Sequence, residues 1–177
     1  ESFTARYSHE TVALAFSITE EAVEDNLYDS IAKRYTKALA RSMANTKQIK
    51  AANVLNNGFA TANGGDGKAL MADDHPTISG STQTNELATS SDLSETSLEQ
   101  AMIDIGNFKD ERGLKIAARG MKLIIPSALQ FTAERILKST GRVGTADNDI
   151  NALSSKGMIS QGYVVNNFLT DDDAFFI

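Results

Sequence analysis

Cysteine is absent from this chain, and only two histidines and two prolines occur in its 177 residues. Without cysteine there is no disulfide framework, no thiolate zinc site and no cysteine nucleophile, and thiols say nothing about redox compartment. Long apolar runs are missing too. None approaches the roughly 20 residues that span a bilayer, and residues 1–20 lack the charged, apolar and cleavage regions of a signal peptide, so the chain is expected to be soluble and not membrane-bound. An excess of positive charge is equally lacking: 17 basic residues face 23 acidic ones, for a net charge of -6. The basic residues are scattered, which leaves no electrostatic footprint for nucleic acid.

What is present is enough chain to bury a real core in one ordinary domain or two small lobes. The chain opens "ESFTARYSHETVALAF" in strand-like alternation and closes on the apolar "AFFI". Natural termini tend to be polar and frayed, so we expect an internal piece of a longer polypeptide, with Phe175, Phe176 and Ile177 beginning a strand.

Residues 10–18, "ETVALAFSI", read as a strand from their content of Val, Leu, Phe and Ile. Thr19 then offers a cap, and Glu20 and Glu21 suit a first helical turn. Apolar positions at Val23, Leu27, Ile31, Tyr35, Leu39, Met43, Ile49 and Val54 predict a helix from Glu20 to Asn56. If continuous it is ~55 Å long, against about 40 Å for a compact globule of this size. Either it breaks near Asn45 and Thr46, or the protein is elongated and leans on neighbours.

Residues 60–91 are rich in Gly, Thr, Ser, Asn and Asp and predict an extended loop, longer than compact domains usually carry. Order resumes with Ser94 or Thr96 as a cap and an apolar stripe of Leu98, Ala101, Met102, Ile105 and Phe108. "KDERG" reads as a turn, and residues 114–126 as a strand ending at Pro126. Leu123, Ile124 and Ile125 in succession suit burial on both faces. A helix follows with Leu129, Ala133, Ile136 and Leu137 inward; residues 141–157 read as loop, 158–169 as a strand and 173–177 as another. The fold class is α+β.

Candidate chemistry concentrates in "GDGKALMADDHP", residues 65–76. A phosphate loop needs glycine where Ala62 stands and Ser or Thr where Ala69 follows Lys68. As a metal site, Asp73, Asp74 and His75 are consecutive, which rarely lets three donors converge, and Pro76 holds His75 extended. "DNDINAL" from Asp147 resembles a calcium loop, but Ala152 and Met158 replace the required glycine and glutamate. Asp171, Asp172 and Asp173 read as a solvated turn. His9 and His75 have no nucleophile-elbow serine to serve, and the acidic pairs Glu20 with Glu21 and Glu24 with Asp25 suit a solvated helix face. Lys33, Arg34, Lys37 and Arg41 form one basic band without an aromatic platform beyond Tyr35, better suited to acidic surfaces of sister subunits than to nucleic acid. We assign no catalytic, cofactor-binding or metal-ligating residue and expect no enzyme.

Taken in order, "DGKALMADDHP", "DLSETSLEQAM", "KDERGL", "LIIPSALQFTAERIL", "DINAL" and "LTDDDAFFI" resemble the major capsid proteins of tailed phages, in particular the Mu-like major head subunit group with the Hong Kong 97 fold. The match runs over residues 66–177. It rests on Gly67, Leu70, His75 and Pro76; on Leu93, Ser94, Leu98 and Glu99; on Lys109, Asp110 and Gly113; on Pro126; and on Thr170, Asp171, Asp173, Ala174 and Phe176. Met71 stands where that group has an aromatic, and Phe175 where it has Trp.

The resemblance implies a shell subunit. Residues 1–18 would be the returning arm of an extended loop lying over a neighbour. Residues 19–91 would be a peripheral domain with a long spine helix and loop, and residues 92–177 an incomplete axial domain. It further implies pentamers and hexamers closing into an icosahedral virion shell around double-stranded DNA, assembled in host cytoplasm with scaffold, portal and decoration proteins, and without sequence-specific DNA binding. Two alternatives stand beside it: a metal-dependent hydrolase using Asp73, Asp74 and His75 or Asp171–Asp173, and the shell protein of a cellular nanocompartment.

Overall fold

The Thr19 side chain accepts a hydrogen bond from the Ala22 amide (3.4 Å) and starts the first helix, with Glu20 and Glu21 in its opening turn. Carboxylates are favoured there by the unpaired amides. In the computed structural model, which describes residues 3–6, 8–25, 28–60, 64–142 and 149–177, this helix, α1, is short: Glu20–Glu24. The next, α2, Tyr28–Asn56, runs 29 residues without a break, ~43 Å at 1.5 Å per residue. The expected single helix is therefore divided, and at Asp25 (φ -79°, ψ 9°) rather than at Asn45 and Thr46. Thr46 stays helical because its hydroxyl donates to the Ser42 carbonyl (3.0 Å), which satisfies it inside the helix.

Residues 10–18 are extended, as their composition predicts, but they form no strand: no described segment pairs with them. A strand exists only where a neighbour completes its backbone hydrogen bonds. The stretch instead lies antiparallel along α2. Phe16 meets the Tyr35 ring at 5.7 Å between centroids, Glu10 pairs with Lys50 at 2.7 Å, and Ala5 backbone closes on Gly65. Six extended residues from Phe16 to Glu10 cover about 20 Å, and fifteen helical ones from Tyr35 to Lys50 about 22 Å, so the two courses keep pace.

The segment after α2 holds more order than a plain loop. Strands β1, His75–Pro76, and β2, Thr82–Gln83, form a small antiparallel hairpin. Side-chain amides clip it to its surroundings: Asn85 accepts from the Ala72 amide (2.9 Å) and donates to the Leu70 carbonyl (2.8 Å), while Gln83 donates to the Asp110 carbonyl (2.9 Å). Such clips replace backbone pairing where the chain is irregular, and they leave no mark on hydrophobic periodicity.

Ser94, not Thr96, caps α3, Glu95–Gly106, and Ser97 returns the bond to the Ser94 amide (2.9 Å). The predicted stripe turns inward, with Leu98 fully buried and Met102 packed against the core. "KDERG" is the predicted turn: the Asp110 carboxylate accepts from the Arg112 and Leu114 amides (2.9 and 2.8 Å), and Gly113 takes φ 87°.

The strand expected over 114–126 is only Leu123–Ile125, β3, because the backbone meets paired neighbours on both sides only there. On one side runs β4, Tyr163–Val165, in parallel; this is all that forms of the strand expected over 158–169, since Gly162 turns the chain at φ 64° just before it. On the other side Phe176 exchanges two backbone hydrogen bonds with Ile124 (2.7 and 3.0 Å), so the final strand is a single antiparallel bridge. Parallel pairing demands a crossover. Pro126 caps a 3-10 turn, Ser127–Leu129, that leads into α4, Gln130–Lys138, and residues 141–157 include a further short helix, α5, Ala152–Ser155, where loop was expected. Asp147 of the calcium-like stretch lies outside the described residues.

The crossover closes a core of Leu93, Leu98, Leu123, Ile125, Ala133, Ile136, Leu153 and Ile159. The C-terminal end of α2 is tied to this body by Asn56, which donates to the Phe168 carbonyl and accepts from the Thr170 amide (both 3.1 Å), and by Phe59 against Phe176.

Asn151 is the polar joint of the crossover. It is 1% exposed, donates to the Ile136 carbonyl (2.5 Å) and accepts from the Ser154 amide (3.1 Å), linking α4 to the cap of α5. Asn151→Ala is expected to lower the unfolding free energy by about 2–4 kcal/mol, a lost cap plus an abandoned buried carbonyl. Asn151→Asp, which can accept but not donate, is expected to fare no better. Chemical denaturation measures both, and a change below about 0.5 kcal/mol would refute this role.

Candidate functional site

Residues 64–76 are knotted onto themselves. The Gly67 amide donates to the Gly64 carbonyl (3.1 Å), with Gly67 at φ 79°, and the Gly64 amide donates to the Lys68 carbonyl (2.9 Å). That turn presents Asp66 to His75, whose Nδ1 donates to Asp66 Oδ2 at 2.6 Å. Lys68 Nζ forms a short ion pair with Asp74 Oδ2. Asp73 is exposed.

The donors proposed from sequence are thus not brought together. Asp74 is spoken for by Lys68, Asp73 faces solvent, and His75 has Nδ1 committed to Asp66 and Nε2 enclosed without a hydrogen-bond partner among the described residues. At the other candidate, Asp171 accepts from the Asp173 amide (3.0 Å), a local turn, and all three aspartates are exposed. No group of three or more metal-ligating side chains is assembled among the described residues. Asp66 is the partner that sequence reasoning missed. It stands nine positions from His75, and only the Gly64–Gly67 turn hints that the two meet.

Elsewhere the sequence candidates are dispersed. His9 is exposed on the arm, and Glu20, Glu21, Glu24 and Asp25 face solvent. In the basic band Lys33 pairs with Asp29 at 2.8 Å, while Arg34, Lys37 and Arg41 are exposed along α2. No helix among the described residues is long and apolar enough to cross a membrane.

The more telling feature is extent. The chain exposes 12742 Å², about one and a half times the roughly 8400 Å² that a compact monomer of this mass shows. Large apolar side chains stand in that surface: Phe3 and Leu14 on the arm, Tyr35 and Val54 on α2, and Phe131 on α4 are all 48% exposed or more. Scattered exposed apolar residues are ordinary, but a continuous excess marks contact with other molecules. The arm and the free length of α2 carry much of it.

A family model for phage capsid proteins matches residues 3–177. No curated protein matches the chain, and no solved structure does. The chain belongs to this phage capsid protein family, which makes it a structural component of a virion whose copies assemble into a shell. That family supports neither the hydrolase nor the nanocompartment alternative.

Two expectations follow from this geometry. The hydrogen bond from His75 holds the Asp66 carboxyl below its ordinary value. A depressed folded pKa adds stability that is full above the unfolded value, about 4, and that fades as pH falls through the lower folded value. The melting-temperature difference between wild type and Asp66→Asn should therefore shrink as pH falls below about 4; a difference that stayed unchanged to the acid limit of folding would contradict the pairing. Separately, excess chelator should leave the melting temperature within about 1 °C of its untreated value, since a bound metal would have added stability by mass action.

Proposed function

We propose that this chain is the major head subunit of a tailed phage, of the Mu-like group with the Hong Kong 97 fold, and that its copies close into an icosahedral shell around double-stranded DNA. The observation that carries the proposal is the excess of exposed surface, with large apolar side chains such as Phe3 and Leu14 on the arm and Tyr35 and Val54 on α2 left uncovered by one copy. Within the proposal, residues 1–18 are an arm over a neighbour, 19–91 a peripheral domain with α2 as its spine, and 92–177 an axial domain around five-fold and six-fold centres. Two features support this division: the described core cluster draws only on residues 93–159, and α2 joins that body at one end, through Asn56 and Phe59.

The mechanism is repeated burial. Apolar surface removed from water contributes about 25 cal/mol per Å², and association itself costs several kcal/mol of lost freedom, so a single contact is weak. In a closed shell each subunit makes several at once, and the sum holds. A net charge of -6 suits a wall that encloses DNA without gripping it. Scaffold, portal and decoration proteins would be its partners in assembly.

Negative-stain electron microscopy of the intact gene product is expected to show closed shells or rings of five and six subunits. Removing residues 1–18 should abolish them while leaving residues 92–177 folded, as read by their amide exchange protection. Normal particles from the truncated protein would overturn the arm's assignment.

A further inference from the structure

The chain carries a strand-forming segment without a sheet and, at a distance, a sheet edge without a strand. Residues 11–18 alternate strictly, Val12, Leu14, Phe16 and Ile18 against Thr11, Ala13, Ala15 and Ser17. They are extended, and they have no backbone partner among the described residues. The open edge belongs to β4. Its inner side is settled: the Leu123 amide donates to the Gly162 carbonyl (3.0 Å) and the Asn166 amide to the Ile125 carbonyl (2.8 Å). Strand alternation then turns the amides and carbonyls of Tyr163 and Val165 to the outer side, where no backbone group among the described residues meets them.

A groove opens beside the start of this edge. It has a volume of about 390 Å³ and is lined by Leu137, Leu153, Ile159, Gly162 and Tyr163. At its polar margin Glu134 pairs with Lys138 at 2.6 Å. An open edge next to an apolar pocket is the arrangement by which a sheet takes up an added strand, with backbone bonds along the edge and one side chain in the pocket.

We propose that residues 11–17 of one copy add as a strand to the outer edge of β4 in a second copy, with an apolar side chain of the Val12, Leu14, Phe16 row seated in the groove. The proposal rests on the reading of the chain as a shell subunit, which supplies the second copy. Within one copy the arm is held along α2 by Phe16 on Tyr35 and Glu10 on Lys50, away from β4. Since Phe16 shares one face with Val12 and Leu14, the row that would enter the groove is the one turned to α2, and the arm leaves α2 when it adds to β4.

The absence of cysteine makes a direct test simple. Full-length Val164→Cys protein is mixed with Ala13→Cys or Leu14→Cys protein, assembled, oxidised and run without reductant; opposed residues on paired strands lie about 5 Å apart, within disulfide reach. The expected result is a dimer in one of the mixtures at least tenfold above that of either variant alone. It should vanish when Ala15 and Phe16 of the arm variant are both changed to proline, which removes amide donors on both sides of the strand. A dimer that survives the prolines, or shells that form with no dimer, would overturn the strand addition while leaving the shell reading intact. A dimer without any shell would uphold the pairing and sink the shell.

Discussion

Everything described in the C-terminal half depends on three residues being bonded from both sides. Leu123 and Ile125 are fully buried, and the backbone of β3 is taken up by β4 on one edge and by Phe176 on the other. Because β4 runs parallel to β3, the chain between them must cross over, and that crossover, α4 and α5, delivers Ala133, Ile136 and Leu153 onto the sheet. Asn151 closes the crossover from inside. The same segment that ends at Phe176 receives Phe59 and Asn56 from α2, so the long helix, too, is positioned from this small sheet.

The rest of the chain is arranged differently. Among the described residues the arm and most of α2 form no buried core of their own, and the contacts between them include an ion pair exposed by more than half on both sides and one pair of rings. Exposed pairs of this kind contribute little. A monomer so built leaves apolar side chains such as Phe3, Leu14 and Val54 in water, where other copies can cover them. Membership of a phage capsid family supplies those copies.

The stretch richest in apparent chemistry turns out to be a fastening. Asp66, Lys68, Asp74 and His75 pair among themselves and so hold a turn and a hairpin against the end of α2, where Met71 donates its amide to Gly58 (2.9 Å). Charged residues in a loop need partners when they are drawn even partly out of water. Two pairs formed inside thirteen residues meet that need without a ligand.

Sequence alone determined the local matters: the cap at Thr19, the inward stripes of α3 and α4, the Asp110–Gly113 turn and the place of Pro126. Each depends on neighbours within about four positions, a range over which helix and turn chemistry is complete. Only the tertiary structure decided which extended segments became strands. Residues 10–18 have the composition of a strand and lack backbone partners among the described residues, and of 114–122 only Lys115 joins a bridge, to the nearby Lys109, whereas Leu123–Ile125 and Tyr163–Val165 acquire partners from about forty residues away. The same holds for Asp66 with His75, and for Asn56, Gln83 and Asn151, whose amides have no periodicity to betray them. A strand, like an ion pair, is a property of two segments, and one segment read by itself carries only half of it.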